Sequence, residues 1–223
     1  MLSGTIKRED LSPSIDHLQT VLVDIDRNSA VRGDAEQFVA DCFRAEYSAT
    51  VDYFLNNHIL CYERGLLNSV VGYHAAGDEP LYLEQYLTAP IETVISDRHP
   101  AGETIHRSSL VEVGNLASTS PGSFRRLVLS LCRYFHELGY SWVVFTSTPQ
   151  LLNTFRKLGV ELIYLSDAHQ DNLKAGAEKW GSYYQQKPKV VAGNIAGGLQ
   201  GLVDNPVLSK LLDRAPKPQK VEW

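Results

Sequence analysis

Glu112 stands between Val111 and Val113 in the apolar run Leu-Val-Glu-Val-Gly-Asn-Leu-Ala at residues 110–117. A carboxylate in such a run has two expected uses. Half-buried, with a raised pKa, it serves as a general base, or it pairs with a cation such as Arg107. Gly114, two residues on, marks a bulge or the close approach of a ligand. The run leads into Ser-Thr-Ser-Pro-Gly-Ser at residues 118–123, then Phe124, Arg125 and Arg126. A polar loop that opens a helix leaves backbone N–H groups unpaired at the positive end of the helix dipole, a place suited to phosphate. Arg125 and Arg126 add cations where the dipole disfavours them, and a bound anion would explain their presence. The alternative is an ordinary loop capped by Ser120 or Ser123. Asn153, early in a later helix, is a cap or a ligand donor. Glu84 and Glu92, around Gln85 and Tyr86, form a polar cluster with no diagnostic spacing.

The elements that must position these groups follow from periodicity. Residues 18–23 alternate as a first strand. Asp34 sits where an N-cap would, and Ala35, Phe38, Val39, Cys42 and Phe43 then keep helical spacing to about Tyr47. Residues 58–64 and 69–76 read as a hairpin, and residues 81–87 alternate as a further strand. A strand at 110–117, a loop at 118–123 and a helix at 124–138 capped by Gly139 come next. A buried strand at 141–146, a short helix at 151–158 ended by Gly159 and a strand at 160–165 complete the pattern. Strands alternating with helices predict parallel pairing through right-handed crossovers, grafted here onto an antiparallel start. The class is α/β (α+β). Residues 180–184 and 190–192 are expected to add an edge strand, residues 192–212 a Gly-rich loop and helix, and residues 214–223 a mobile tail.

Composition sets outer bounds. A chain of 223 residues is long enough for one sizeable core. With 43% hydrophobic residues, 21% charged residues and a net charge of −5, it lacks the basic face that nucleic-acid binding needs. Residues 1–10 lack the apolar core of a secretory signal, and no stretch is long enough to span a membrane, so a cytoplasmic location is expected. Three cysteines, Cys42, Cys61 and Cys132, are widely spaced in apolar segments and read as reduced core thiols. The seven histidines have no metal-ligand spacing, so no metal is expected.

Five stretches carry a resemblance in combination: residues 81–92, 111–117, 142–148, 153–159 and 180–184, the last reading Trp-Gly-Ser-Tyr-Tyr. Here the chain resembles the thermostable hemolysin family of bacteria from about residue 34 to 195. That family is similar to a branch of the GNAT acyltransferase fold near the acyl-homoserine-lactone synthases, in which an acyl group passes from acyl-CoA or acyl-carrier protein to an amine. The resemblance implies a GNAT-like mixed central sheet flanked by helices, with the strand at 110–117 splayed from that at 141–146. An acyl-pantetheine arm would lie in the gap. Backbone around Leu116 and Ala117 would receive the thioester carbonyl, and Ser118, Gly122, Ser123, Arg125 and Arg126 would hold donor phosphate. Glu112 matches a strand carboxylate of the autoinducer synthases, with Glu84 in reserve, and Asn153 matches an asparagine of GNAT cofactor sites.

Two departures stand out. The phosphate loop has a single glycine, Gly122, and the tyrosine that commonly protonates the leaving thiolate is replaced by Phe155. The resulting expectation is an N-acyltransferase moving a fatty acyl group to a small-metabolite amine. A directly membrane-active hemolysin and an inactive GNAT-fold binding module are the alternatives. Domain organisation is expected as an N-terminal segment at 1–33, an acyltransferase domain at 34–195 and a C-terminal helix and tail at 196–223.

Overall fold

A computed structural model describes residues 20–99, 102–119 and 121–220, without the side chains of 121–123 and 125. Eight strands form one mixed sheet in the order β6-β7-β5-β4-β3-β2-β1-β8. The antiparallel half is built from β1 (Thr20–Ile25), β2 (Asn57–Glu63) and β3 (Leu66–Ala75), each paired with its chain neighbour, and β3 pairs antiparallel with β4 (Leu110–Ser118). β4 then pairs in parallel with β5 (Trp142–Ser147) through the crossover helix α3 (Pro121–Glu137).

β7 (Lys189–Asn194) lies between β5 and β6 (Ile163–Asp167), antiparallel to both. Residues 190–192 are therefore interior, not an edge, and β5 does not touch β6. Their complete burial fits that place. The edges belong instead to β6 and to β8 (Gln219–Lys220), which pairs with β1 inside the stretch expected as a tail.

Helices cover both faces. α1 (Arg32–Tyr47) begins two residues before Asp34, so that carboxylate sits in the first turn, where the dipole favours it, and not at the cap. Its Ala35 and Val39 are fully buried against Val23, Ile25, Leu60 and Val70. On the opposite face α3 packs Leu127, Leu131 and Phe135 onto Leu22, Ile59, Val71 and Val111, at roughly 1.5–3 kcal/mol of burial per side chain. A polar tie fixes α3 as well. Tyr134 of α3 donates to Asp24 Oδ2 at 2.5 Å, and Tyr73 of β3 donates to the same carboxylate at 2.9 Å. Burial raises the Asp24 pKa against these two donors.

α3 starts at Pro121, three residues earlier than its apolar period suggests, because proline at the first helical position loses no needed N–H. Gly139, at φ 88°, closes it. α4 (Pro149–Lys157) follows β5 and ends at Gly159, φ 72°. α5 (Ile195–Asp204) and α6 (Pro206–Asp213) bury Leu202, Leu208 and Leu212 against Val128 and Leu129 of α3. Residues 81–87, expected as a strand, instead form a 3-10 turn, Tyr82–Tyr86, followed by α2 (Ile91–Arg98). Alternation was misleading there because Glu84 accepts from Leu81 N at 2.6 Å and from Ile91 N at 2.9 Å, which curls the chain around one carboxylate.

Candidate active site

β4 and β5 stay paired only from Leu110 opposite Trp142 to Val113 opposite Phe145. Past that point β4 carries a bulge. Gly72 of β3 faces Gly114, Val70 faces Ala117, and Asn115 and Leu116 occupy the space that Val71 alone spans. Asn115 takes a left-handed backbone, φ 48°, and its amide holds the chain before β2, accepting from Leu55 N at 2.9 Å and donating to Tyr53 O at 3.0 Å. The close approach of the Asn115 side chain explains Gly72, where a Cβ would lie 2.8 Å from Asn115 Oδ1. The bulge turns β4 away from β5, and among the described residues the β5-facing edge of residues 114–117 has no strand partner.

A cavity of about 220 Å³ passes through this gap. Strand alternation gives it two unlike halves. On the α3 side the lining is apolar: Leu127, Val128, Leu131, Phe135, Phe155 and Ile195, with Gly198 of α5. Gly198 has no atom within 4 Å of where a Cβ would stand, so it leaves open space. Cys132 also lines this half, and burial pushes its thiol up to about 11. It stays a neutral wall residue at ordinary pH. On the other face lie Glu112 and aromatic rings from four segments: Phe43 and Tyr47 of α1, Tyr53, Tyr82 and Tyr86, and Trp180, Tyr183 and Tyr184.

Glu112 is 4% exposed. Its Oε2 accepts from Tyr82 N at 2.9 Å and its Oε1 from Leu83 N at 3.0 Å, so the 3-10 turn aims and holds it. Burial pushes its pKa up to about 7, against the pull of these two donors. The expected ion pair with Arg107 is not formed. Arg107 grips Glu84 with two hydrogen bonds of 2.8 Å, reaches Glu92 at 2.8 Å and donates to the carbonyls of Gly77 and Glu79. Burial alone would raise the Glu84 pKa, but Arg107 and two backbone donors outweigh it and hold the carboxyl below its usual range. Glu84 is thus a fully engaged anchor that does not line the cavity, in the same 3-10 turn as the residues that hold Glu112. A reserve base was expected at this position; its carboxylate is taken up by Arg107 and two backbone donors.

The other expected site residues divide. Leu116 lines the cavity at the gap. Ala117 turns its methyl to the α1 side, into the core with Val39 and Val70, which leaves only its backbone at the gap. Ser118 shares a 2.8 Å hydrogen bond with Ser69. Gly122 and Ser123 fall inside the first turn of α3, not in the preceding loop. The side chains of Ser123 and Arg125 lie outside the described residues, as does Ser120. Arg126 is exposed and paired with Glu63. Asn153 is exposed on α4, accepts from Arg156 at 3.3 Å and lines no part of the cavity.

The aromatic wall went unread in the sequence. Trp180 and Tyr183 to Tyr184 form two 3-10 turns, Ala177–Trp180 and Tyr183–Gln186, not an edge strand. Gly181 between them lies so close to α1 that a Cβ would come within 2.1 Å of Tyr47 O. Ser182 N donates to Tyr47 O at 2.8 Å, and Thr50 N to Lys179 O at 2.7 Å. These contacts bring Tyr183 edge-on to Tyr47 at 5.3 Å and set the Tyr184 and Tyr86 hydroxyls 2.5 Å apart. Tyr53 and Tyr82 stack at 4.5 Å beside Glu112. The available signal was the spacing of Phe43 and Tyr47 on one helix face and of Trp180, Tyr183 and Tyr184.

The sequence profile of the family described as thermostable hemolysin matches residues 25–199, well over half of the chain. No curated protein matches in sequence. Among solved structures, a CoA-dependent acyl-homoserine lactone synthase, BjaI, determined with SAM and isopentyl-CoA, is similar with a TM-score of 0.57 and 14% identity, over 92% of this chain and 93% of that one. FeeM, an N-acyl amino acid synthase from uncultured soil microbes, is similar with a TM-score of 0.57 and 13% identity, over 84% and 98%. The AHL synthase LasI follows at a TM-score of 0.55 and 11% identity, over 89% and 97%. The fold is thus the GNAT-like acyltransferase fold, and the chain belongs to the thermostable hemolysin family.

Proposed function

We propose that this member of the thermostable hemolysin family is an N-acyltransferase that moves a fatty acyl group from a pantetheine thioester, on CoA or a carrier protein, to an amine. The observation that carries this reading is the cavity through the β4–β5 gap, apolar on one side of the sheet and bearing one buried carboxylate on the other. The acyl chain enters the α3 half, where each buried methylene contributes about 0.8 kcal/mol. The thioester then lies at the gap. The start of α3 supplies unpaired N–H groups for donor phosphate, with Gly122 and Ser123 in its first turn and Arg125 and Arg126 directly after it.

Glu112, ionised, takes a proton from the ammonium of the acceptor, and the neutral nitrogen attacks the thioester carbonyl. The carbonyl oxygen becomes an oxyanion facing the β4 edge at Leu116 and Ala117, whose backbone is free of a β5 partner. As the C–S bond breaks, the amide forms and the thiolate takes up the second proton from the nitrogen. Phe155 has no proton to give, and a thiolate needs little help to leave because thiols are acidic, with a pKa near 8.5. Cys132 is a neutral thiol in the wall, so the transfer is direct, with no acyl-cysteine.

Membrane lysis by the chain itself has less support. Among the described residues no helix is long and apolar enough to cross a membrane. The two helices within residues 195–213 bury Leu202, Leu208 and Leu212 against α3. The test is to incubate purified protein with acyl-CoA and acyl-carrier protein of graded chain length and a panel of amines, following thiol release. Amine-dependent release with one donor is expected. No release and no donor binding would defeat the reading.

A further inference from the structure

Taking acyl transfer to an amine as the reaction, we infer that the acceptor is a primary amine on an apolar or aromatic body that carries no carboxylate of its own. Among the described residues that line the cavity there is no Lys, Arg or His, and Glu112 is the sole charged group. Two cations on the segments that build this half are already engaged. Arg107 is locked onto Glu84 and Glu92, and Lys179 is paired with Asp52 at the surface. An amino acid entering here would bring its carboxylate into an aromatic-walled site with no cation to meet it, and toward a second carboxylate. Both desolvation and like-charge repulsion oppose that.

An ammonium meets the reverse conditions. Among the described residues no ion pair neutralises Glu112, and the stacked Tyr53 and Tyr82 beside it present ring faces and edges that suit a cation on a flat or apolar body. More ring surface in this half comes from Phe43, Tyr47, Tyr86, Trp180, Tyr183 and Tyr184. Its hydroxyls recognise neutral polar groups, which an arylalkylamine tolerates. This chemistry separates the site from one built for an amino acid, which needs a cation to fix the substrate carboxylate.

The test compares matched pairs that differ only in a carboxylate: phenethylamine against phenylalanine, and tyramine against tyrosine. Binding is measured by titration calorimetry at neutral pH, and acyl transfer by thiol release in parallel. The amine of each pair is expected to bind at least about tenfold more tightly than its amino acid, since an unpaired charge is costly to desolvate. Glu112→Gln should narrow that ratio. Equal affinity within a pair, preference for the amino acid, or no binding of either amine would overturn the inference. Because binding is read without turnover, these outcomes are separate from the failure of acyl transfer itself. An enzyme that releases thiol with amino acids refutes only the acceptor class.

Discussion

Replacing Glu112 with Gln probes both the chemistry and the burial that tunes it. The amide keeps one oxygen to accept from Tyr82 N or Leu83 N but turns an NH2 toward the other donor, a mismatch worth about 1–3 kcal/mol. Against that, the variant has no charge to bury. The native carboxyl has its pKa raised from 4.5 to about 7 in the folded chain. A raised carboxylate pKa means that the folded state holds its proton better than the unfolded one. The associated stability is therefore fully present below pH 4.5 and is lost as pH rises through about 7. The shift corresponds to roughly 3 kcal/mol. Melting curves of the two proteins should thus converge by about that much as pH climbs from acid to alkaline, with other titrating groups cancelling in the difference. Thiol release by the native chain should rise with an apparent pKa near 7, distinct from the acceptor ammonium near pH 10. The variant should lose that limb and about 10²–10⁴ in rate. A variant within about threefold of native activity, with the limb intact, would refute the assignment of Glu112 as base.

Gly198→Leu should fill the open space beside α5 and shift donor preference to shorter acyl chains, each excluded methylene forfeiting about 0.8 kcal/mol, as read from kcat/KM across a chain-length series. Arg107→Lys keeps the charge but cannot grip both Glu84 oxygens, so the turn that holds Glu112 loosens. The expected outcome is a fall in kcat together with a displaced pH limb and unchanged donor binding, which a purely structural defect would not produce.

The path from sequence to site was legible where spacing is local. The strand with Glu112, the helix α3 and the strand β5 follow from their apolar periods, and the parting of β4 from β5 is where the family resemblance puts it. Three things depend on contacts that periodicity does not encode. β7 inserts between β5 and β6 by non-local pairing, so chain order misplaces it. Arg107 pairs with Glu84 and Glu92 and leaves Glu112 alone, a choice made only once the 3-10 turn folds around Glu84. The aromatic wall draws on segments well over a hundred residues apart, joined by the backbone contact at Gly181 that no pattern of side chains announces.

The gap between β4 and β5 has a kinetic consequence. In the proposed reaction, an amide made there would be threaded like a needle's eye, its tail on one side of the sheet and its head on the other. Below the gap the strands stay paired from Leu110 opposite Trp142 to Val113 opposite Phe145, so the product can leave only by the end where they part. The longer the tail, the more tightly the finished molecule is retained, so departure and not bond making should come to limit the cycle, and the best-held chains should turn over slowest.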